Sequence, residues 1–257
     1  MNRFSDSDLT CNDFLGGRLR LWQPRKGYRA GIDPVLLAAS IPATVNQSVL
    51  ELGCGAGAAV LCLMARVPEL RATGVELQEA YAELAKRNAE DNKLPLTVAA
   101  ADLNALPLDI RQQQFDHVLA NPPYYRSGEH SPAKDQGRSI ALGERTALSD
   151  WVSVAVKRLV PRGYLHIIQK ADRLQDLLLA CSGQVGSIEV LPIAPRTDRP
   201  AELVIFRARK GGRAAFRLLA PVVLHAGTKH LRDGDSYAPE ISAILRQGAA
   251  LAGFSSI

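Results

Sequence analysis

The sequence predicts an α/β protein with a mainly parallel sheet and helices on both of its faces, and three observations carry the prediction. Across residues 48–210, short β-branched or apolar runs alternate with longer stretches of helical spacing, the order that a covered parallel sheet requires. The first run, VLEL, passes through Gly53-Cys54-Gly55-Ala56-Gly57 into a helical pattern, a strand-to-helix crossing at the carboxyl edge of the sheet, where α/β folds bind ligands. The composition, 47% hydrophobic and 22% charged over 257 residues, is that of a globular chain and excludes a disordered or fibrous one.

Taken in order, GGRLRLWQPRKGYRAGIDPVLLAAS reads as a β-ribbon followed by a helix that starts near Asp33-Pro34, an N-cap acid with proline at the first helical position. This extension occupies residues 1–47, and the main domain residues 48–257. The strand candidates are VLEL, ATGVEL, LTVAA, FDHVLA, GYLHIIQ, SIEVLPI and ELVIFRA. Helical spacing covers residues 57–66 and 78–91, the latter with Tyr81, Leu84 and Ala85 on one side and charges opposite. A further helix is expected over residues 148–159, with Pro161-Arg162-Gly163 as its stop. RARKGGRAAFRLLAPVVLH looks like a strand, a glycine turn and another strand, and a short helix is expected over residues 239–247. The polar segment 126–143 is expected to be a mobile loop.

No apolar run approaches the roughly 20 residues that cross a bilayer, and the first ten residues carry two acids in place of a basic leader, so a cytoplasmic protein is expected. Cys11, Cys54, Cys62 and Cys181 are scattered without a CxxC pair, which points to neither a disulfide framework nor a metal site. The net charge of +5 favours an anionic partner such as nucleic acid. His117 and His166 lie on strand candidates and read as packed, not catalytic.

Glycines at Gly53, Gly55 and Gly57 suit a turn whose backbone takes φ > 0 or must lie against a ligand. Glu76 closes the second strand, roughly 20 residues on, where a carboxylate can accept both hydroxyls of a ribose. NAD enzymes share that feature. Glu51 ahead of the glycines, Asp102 after the third strand, placed for an adenine amino group, and the order G-C-G-A-G in place of G-x-G-x-x-G separate the two cases. Together these features resemble the class I S-adenosylmethionine-dependent methyltransferases. The resemblance implies a Rossmann-like seven-stranded sheet and S-adenosyl-L-methionine held by Glu51, Gly53, Cys54, Gly55, Gly57, Glu76, Leu77, Asp102, Leu103 and Asn121.

The fourth strand ends in Asn121-Pro122-Pro123-Tyr124. Two prolines lock φ and remove two amide donors, which makes a stiff turn with free carbonyls. Such a turn suits an amine or amide nitrogen whose lone pair is delocalised: the Asn121 side-chain oxygen and the Pro122 carbonyl can take its hydrogens and aim the lone pair. Tyr124 can stack on a planar target. The motif is shared by enzymes acting on adenine N6, guanine N2 and glutamine amide nitrogen, so it fixes the chemistry better than the substrate.

QPRKGYRAGIDPVLLAA, ELGCGAG, ANPPYYRSG, RPAELVIFRARKGG and LAPVVLH, spread over nearly the whole chain, resemble the bacterial family that methylates N6 of an adenine beside the anticodon of a valine tRNA, related to the small-domain RNA methyltransferases. That resemblance implies a tRNA substrate, with Asn121, Pro122, Pro123 and Tyr124 on the target base and Arg25, Lys26, Arg29, Arg207, Arg209, Lys210 and Arg213 as candidate phosphate contacts. The alternatives are rRNA guanine N2, a release-factor glutamine, and a catalytically inert RNA-binding module. Release-factor enzymes typically carry a separate helical domain ahead of the cofactor strand, where this chain has a ribbon and one helix. The intact Asn121 and Tyr124 argue against an inert module.

Overall fold

The structure is a computed structural model that describes residues 4–124, 146–227 and 236–254, so the expected loop at 126–143 lies outside the described residues. The chain opens with an antiparallel ribbon, β1 (Leu9–Phe14) and β2 (Leu19–Pro24), followed by helix α1 (Asp33–Ser40). The ribbon thus starts earlier than the sequence suggests, because Leu9–Phe14 supplies its first strand. Seven longer strands then build the main sheet: β3 (Ser48–Leu52), β4 (Arg71–Glu76), β5 (Leu96–Ala100), β6 (Phe115–Ala120), β7 (Leu159–Lys170), β8 (Gly186–Ala194) and β9 (Leu203–Arg209). Their order is β5-β4-β3-β6-β7-β9-β8, parallel throughout except for β9, which runs antiparallel to both of its neighbours.

The helices are α2 (Ala58–Arg66), α3 (Glu79–Asp91), α4 (Leu108–Gln112), α5 (Leu148–Arg158), α6 (Leu174–Cys181) and α7 (Pro239–Gln247). Because successive strand side chains point to opposite faces, neighbours such as Val49 and Leu50 enter different cores. One core joins β3 to α1, α2 and α7 through Leu36, Leu61 and Ile244; the other joins it to α4, α5 and α6 through Ile110, Val152 and Leu177. The ribbon docks on α3, where Trp22 donates its backbone N–H to Asn88 at 2.7 Å and its indole N–H to Asp91 at 2.7 Å.

Three local expectations are revised. The stop after α5 is a bulge at the start of β7: Phe115 pairs with Leu159 and His117 with Tyr164, and the residues between loop out with Arg162 at φ +68°. The strand expected after the Gly211 turn is two short pieces, β10 (Arg217–Leu218) and β11 (Val222–Val223), both parallel to β8. Pro221 between them lacks the N–H a continuous strand would need. Asp33 is the first helical residue of α1 and makes no side-chain cap, because its carboxylate is turned to another partner.

Candidate active site

At the carboxyl end of β3 the chain makes the turn that the glycines allow. Gly53, Gly55 and Gly57 lie at φ +65°, +54° and +85°. A Cβ on Gly53 would stand 2.5 Å from the Trp151 ring, so this position is closed to any side chain. The turn is pinned to β4 by the Cys54 N–H on the Val75 carbonyl at 3.0 Å, and by the Gly55 N–H on the Glu76 carboxylate at 2.8 Å. The other Glu76 oxygen accepts the Gln78 N–H at 2.9 Å, and Glu51 accepts the Val60 N–H at 2.9 Å. Both carboxylates border a cavity of about 380 Å³. Burial pushes the Glu51 carboxyl up to about 8 and also raises Glu76, partly offset by the amides that each accepts.

The turn after β6 forms the opposite wall. The Asn121 side-chain nitrogen lies 3.5 Å from the Tyr28 hydroxyl, while its oxygen, Oδ1, is buried and makes no hydrogen bond among the described residues. A buried acceptor left without a donor is costly, and here it belongs to a residue of the cavity wall. The carbonyls of Pro122 and Pro123 lie 3.5 Å and 3.4 Å from the Gln169 amide nitrogen at the end of β7, and Arg173 reaches the Tyr124 carbonyl at 3.5 Å. The Tyr124 hydroxyl donates to Asp33, and burial followed by that carboxylate raises its pKa, so the phenol stays neutral. The tetrapeptide is therefore held from three sides, by β7, by the start of α6 and by the first turn of α1.

A strap between β2 and α1 closes the wall. The Tyr28 N–H donates to the Tyr81 hydroxyl at 2.8 Å, which returns a bond to the Tyr28 carbonyl at 3.2 Å, and the Ala30 N–H donates to Gln23 at 2.8 Å. Sequence reasoning missed Tyr28, Asp33, Trp151 and Gln169 as parts of this site. Their signal is spatial: they come from the strap, α1, α5 and β7, and no local motif marks them.

Of the residues singled out from sequence, Glu51, Gly53, Cys54, Gly55, Glu76 and Leu77 line the cavity on one side. Asp102, Leu103 and the run from Asn121 to Tyr124 line it on the other. Gly57 stands back as the left-handed N-cap of α2. Asp102 spends one oxygen on the Asn104 N–H at 2.8 Å, and Leu77 is 48% exposed beside the cavity, a large apolar side chain offered to whatever fills it.

The basic residues divide. Arg25, Lys26 and Arg213 are exposed. Arg29 is exposed too, yet its guanidinium donates to Thr10 at 2.8 Å, to the Pro24 carbonyl at 2.8 Å and to Asn12 at 2.9 Å, which makes it a brace for the strap. Arg209 and Lys210 are half-buried and donate to the Arg162 and Leu159 carbonyls. Arg207 is the correction: it is only 3% exposed, donates to buried Glu189 at 2.7 Å and lies over the Phe254 ring, so it is not available to a phosphate. As an inward-facing residue of β9 it belongs to the core despite its charge. Among the described residues there is no group of three or more His, Cys, Asp or Glu placed to hold a metal, and no helix is long and apolar enough to cross a membrane.

A parallel sheet with one reversed strand, a glycine turn after its central strand and an acid closing the next one define the class I methyltransferase architecture. The chain belongs to the methyltransferase small domain family, whose model matches residues 30–190. A tRNA1(Val) (adenine(37)-N6)-methyltransferase of Porphyromonas gingivalis is 34% identical over 160 residues, 59% of this chain and 62% of that relative. A protein of the same description from Yersinia pseudotuberculosis is 27% identical over 210 residues, 76% of this chain and 79% of its own length. Among solved structures, a predicted O-methyltransferase of Agrobacterium tumefaciens superposes with a TM-score of 0.69 at 26% identity, covering 85% of this chain and 98% of that one. The T. thermophilus 16S rRNA N2 G1207 methyltransferase in complex with AdoMet and guanosine has the same fold, with a TM-score of 0.55 at 20% identity over 79% of this chain and 50% of its own.

Proposed function

We propose that this protein transfers a methyl group from S-adenosylmethionine to the exocyclic N6 of an adenine in tRNA, close to the anticodon, in the cytoplasm. The observation that carries the reading is the buried Asn121 oxygen, left without a donor in the cavity wall beside the glycine turn. The relatives at 27% and 34% identity support adenine as the target.

The cavity fits the methyl donor. Gly55 leaves the backbone open beside the cavity, Glu76 borders it with a carboxylate that would accept from a ribose diol, and Leu77 and Leu103 offer apolar cover for a base. When bound, S-adenosylmethionine supplies an electrophilic methyl carbon on a sulfonium. The protein's own part is positioning and charge. The Asn121 oxygen accepts one hydrogen of the amine and the Pro122 carbonyl, which has a second lone pair beyond the one facing Gln169, takes the other. Both bonds turn the nitrogen lone pair out of conjugation and along the transfer axis, and they strengthen as the nitrogen gains positive charge. No strong base is required, because the alkylated nitrogen is acidic enough to release its proton to water. Tyr124, fixed by Asp33, offers its ring to the target base, a stacking contact worth ~1–3 kcal/mol. Of the basic residues singled out from sequence, Lys26 and Arg213 are exposed and offered to phosphates, as is Arg25, whose Nε–H already donates to the Ser7 carbonyl at 3.1 Å.

Incubation with methyl-labelled S-adenosylmethionine and separate pools of tRNA, rRNA and release factor tests the reading. Label in tRNA is expected, and label confined to rRNA or to release factor rejects it.

A further inference from the structure

We propose that Tyr28 is a positioning residue for methyl transfer: its hydroxyl holds the side-chain nitrogen of Asn121 and so leaves Oδ1 as the end of the amide that meets the acceptor amine. The inference rests on the reading of the function given above and deepens it at the same site. An asparagine amide can present either end, and only one is productive, because an NH₂ turned toward an amine would set donor against donor. Something in the wall has to decide between them. Pro122 and Pro123 contribute no N–H, so the turn itself has no donor for Oδ1 at those two residues, and among the described residues Oδ1 is without a partner. The Tyr28 hydroxyl, 3.5 Å from Nδ2, is the group on the other side.

A phenol can donate as well as accept, and its surroundings decide which. Burial first, and then the negative charge of Asp33, hold the Tyr28 hydroxyl neutral, and the field of that carboxylate draws its proton away from Asn121. The oxygen lone pairs are then left for Nδ2. The geometry is fixed from behind, since Tyr81 grips both the N–H and the carbonyl of Tyr28, and the Tyr28 ring lies 3.9 Å from where a Gly55 Cβ would stand. The ring therefore borders the cofactor turn, while the hydroxyl alone addresses Asn121.

Tyr28→Phe keeps the ring and removes the hydroxyl. The expected result is a kcat lowered by about five- to tenfold, the worth of one lost orienting hydrogen bond, with KM for S-adenosylmethionine and for the acceptor within about twofold. Asn121→Asp supplies the second readout, because a carboxylate offers oxygen at both ends and has no wrong orientation. In that background Tyr28→Phe should change kcat by less than about twofold. An unchanged kcat in Tyr28→Phe, a loss carried by KM for S-adenosylmethionine, or the same factor in both backgrounds overturns the proposal. If Asn121→Asp is too slow to measure, the division between kcat and KM in Tyr28→Phe decides alone. The assay uses whichever nitrogen acceptor the wild-type chain methylates. A wild type that ignores tRNA therefore fails the reading of the function, whereas a Tyr28→Phe variant equal to wild type fails this inference.

Discussion

Two regions of the molecule bury ionisable groups, and they use them in opposite ways. Beside the cavity, Glu51 and Glu76 accept only backbone N–H groups and Asn121 keeps an acceptor without a donor. Across β6, β7, β8 and β9, the buried polar side chains chiefly partner one another. His117 bonds His166 at 3.1 Å and Gln47 at 3.1 Å, while Glu189 receives Arg207 at 2.7 Å and Arg217 at 3.0 Å. Burial pushes His117 down to about 4 and holds His166 well below its ordinary value, so both imidazoles are neutral and serve as packed sheet residues. None of these six lines the cavity. Burial of charge therefore does not mark a site in this protein; an unspent acceptor in the wall of a cavity does.

The contrast can be broken at either end. Arg207→Ala should cost the most, about 3–5 kcal/mol of stability in denaturant unfolding, because it leaves Glu189 buried with only the half-exposed Arg217. The folded fraction should still bind RNA with the wild-type salt dependence. A normal stability together with a reduced salt slope would return Arg207 to the RNA surface. Asn121→Ala should lower kcat by about 10²–10³ and leave the affinity for S-adenosylmethionine within a few-fold. Equal losses in both quantities would remove the residue from the transfer step.

A third test uses the raised pKa of Glu51. Its carboxyl keeps its proton in the folded chain up to about 8, whereas an unfolded chain loses it near 4.5, so the free protein loses stability as pH rises between those values. A cationic sulfonium favours the ionised carboxylate. Affinity for S-adenosylmethionine should therefore rise with pH up to about 8, by at most about tenfold per unit, while the uncharged thioether product shows a flatter profile. Parallel profiles in calorimetry would exclude this coupling. The smallest effects belong to the surface: Lys26→Ala and Arg213→Ala should each reduce the salt slope of RNA binding by about 1 and leave kcat unchanged.

Much of this was legible in the sequence because the signals are local. The strand-glycine-helix crossing at residues 51–57, the acid Glu76 and the stiff turn at residues 121–124 are each written in consecutive residues, and alternation gave the seven long strands. What escaped is set by tertiary placement. Asp33 reads as a helix cap, and the fold spends it on Tyr124. Arg207 sits in a basic run, yet strand periodicity turns it inward to Glu189. Arg29 reads as a phosphate contact, while its guanidinium braces the strap. Tyr28 and Gln169 carry no pattern, since their partners lie 93 and 46 or 47 residues away in the chain.

The most direct measurement is mass analysis of nucleosides from tRNA treated with the protein and S-adenosylmethionine carrying a deuterated methyl group. Heavy N6-methyladenosine is the expected product, and it should vanish when Asn121→Ala replaces the wild type. Heavy N2-methylguanosine in place of it, or heavy N6-methyladenosine formed equally well by Asn121→Ala, would contradict the assignment of this turn as the grip on an adenine amine.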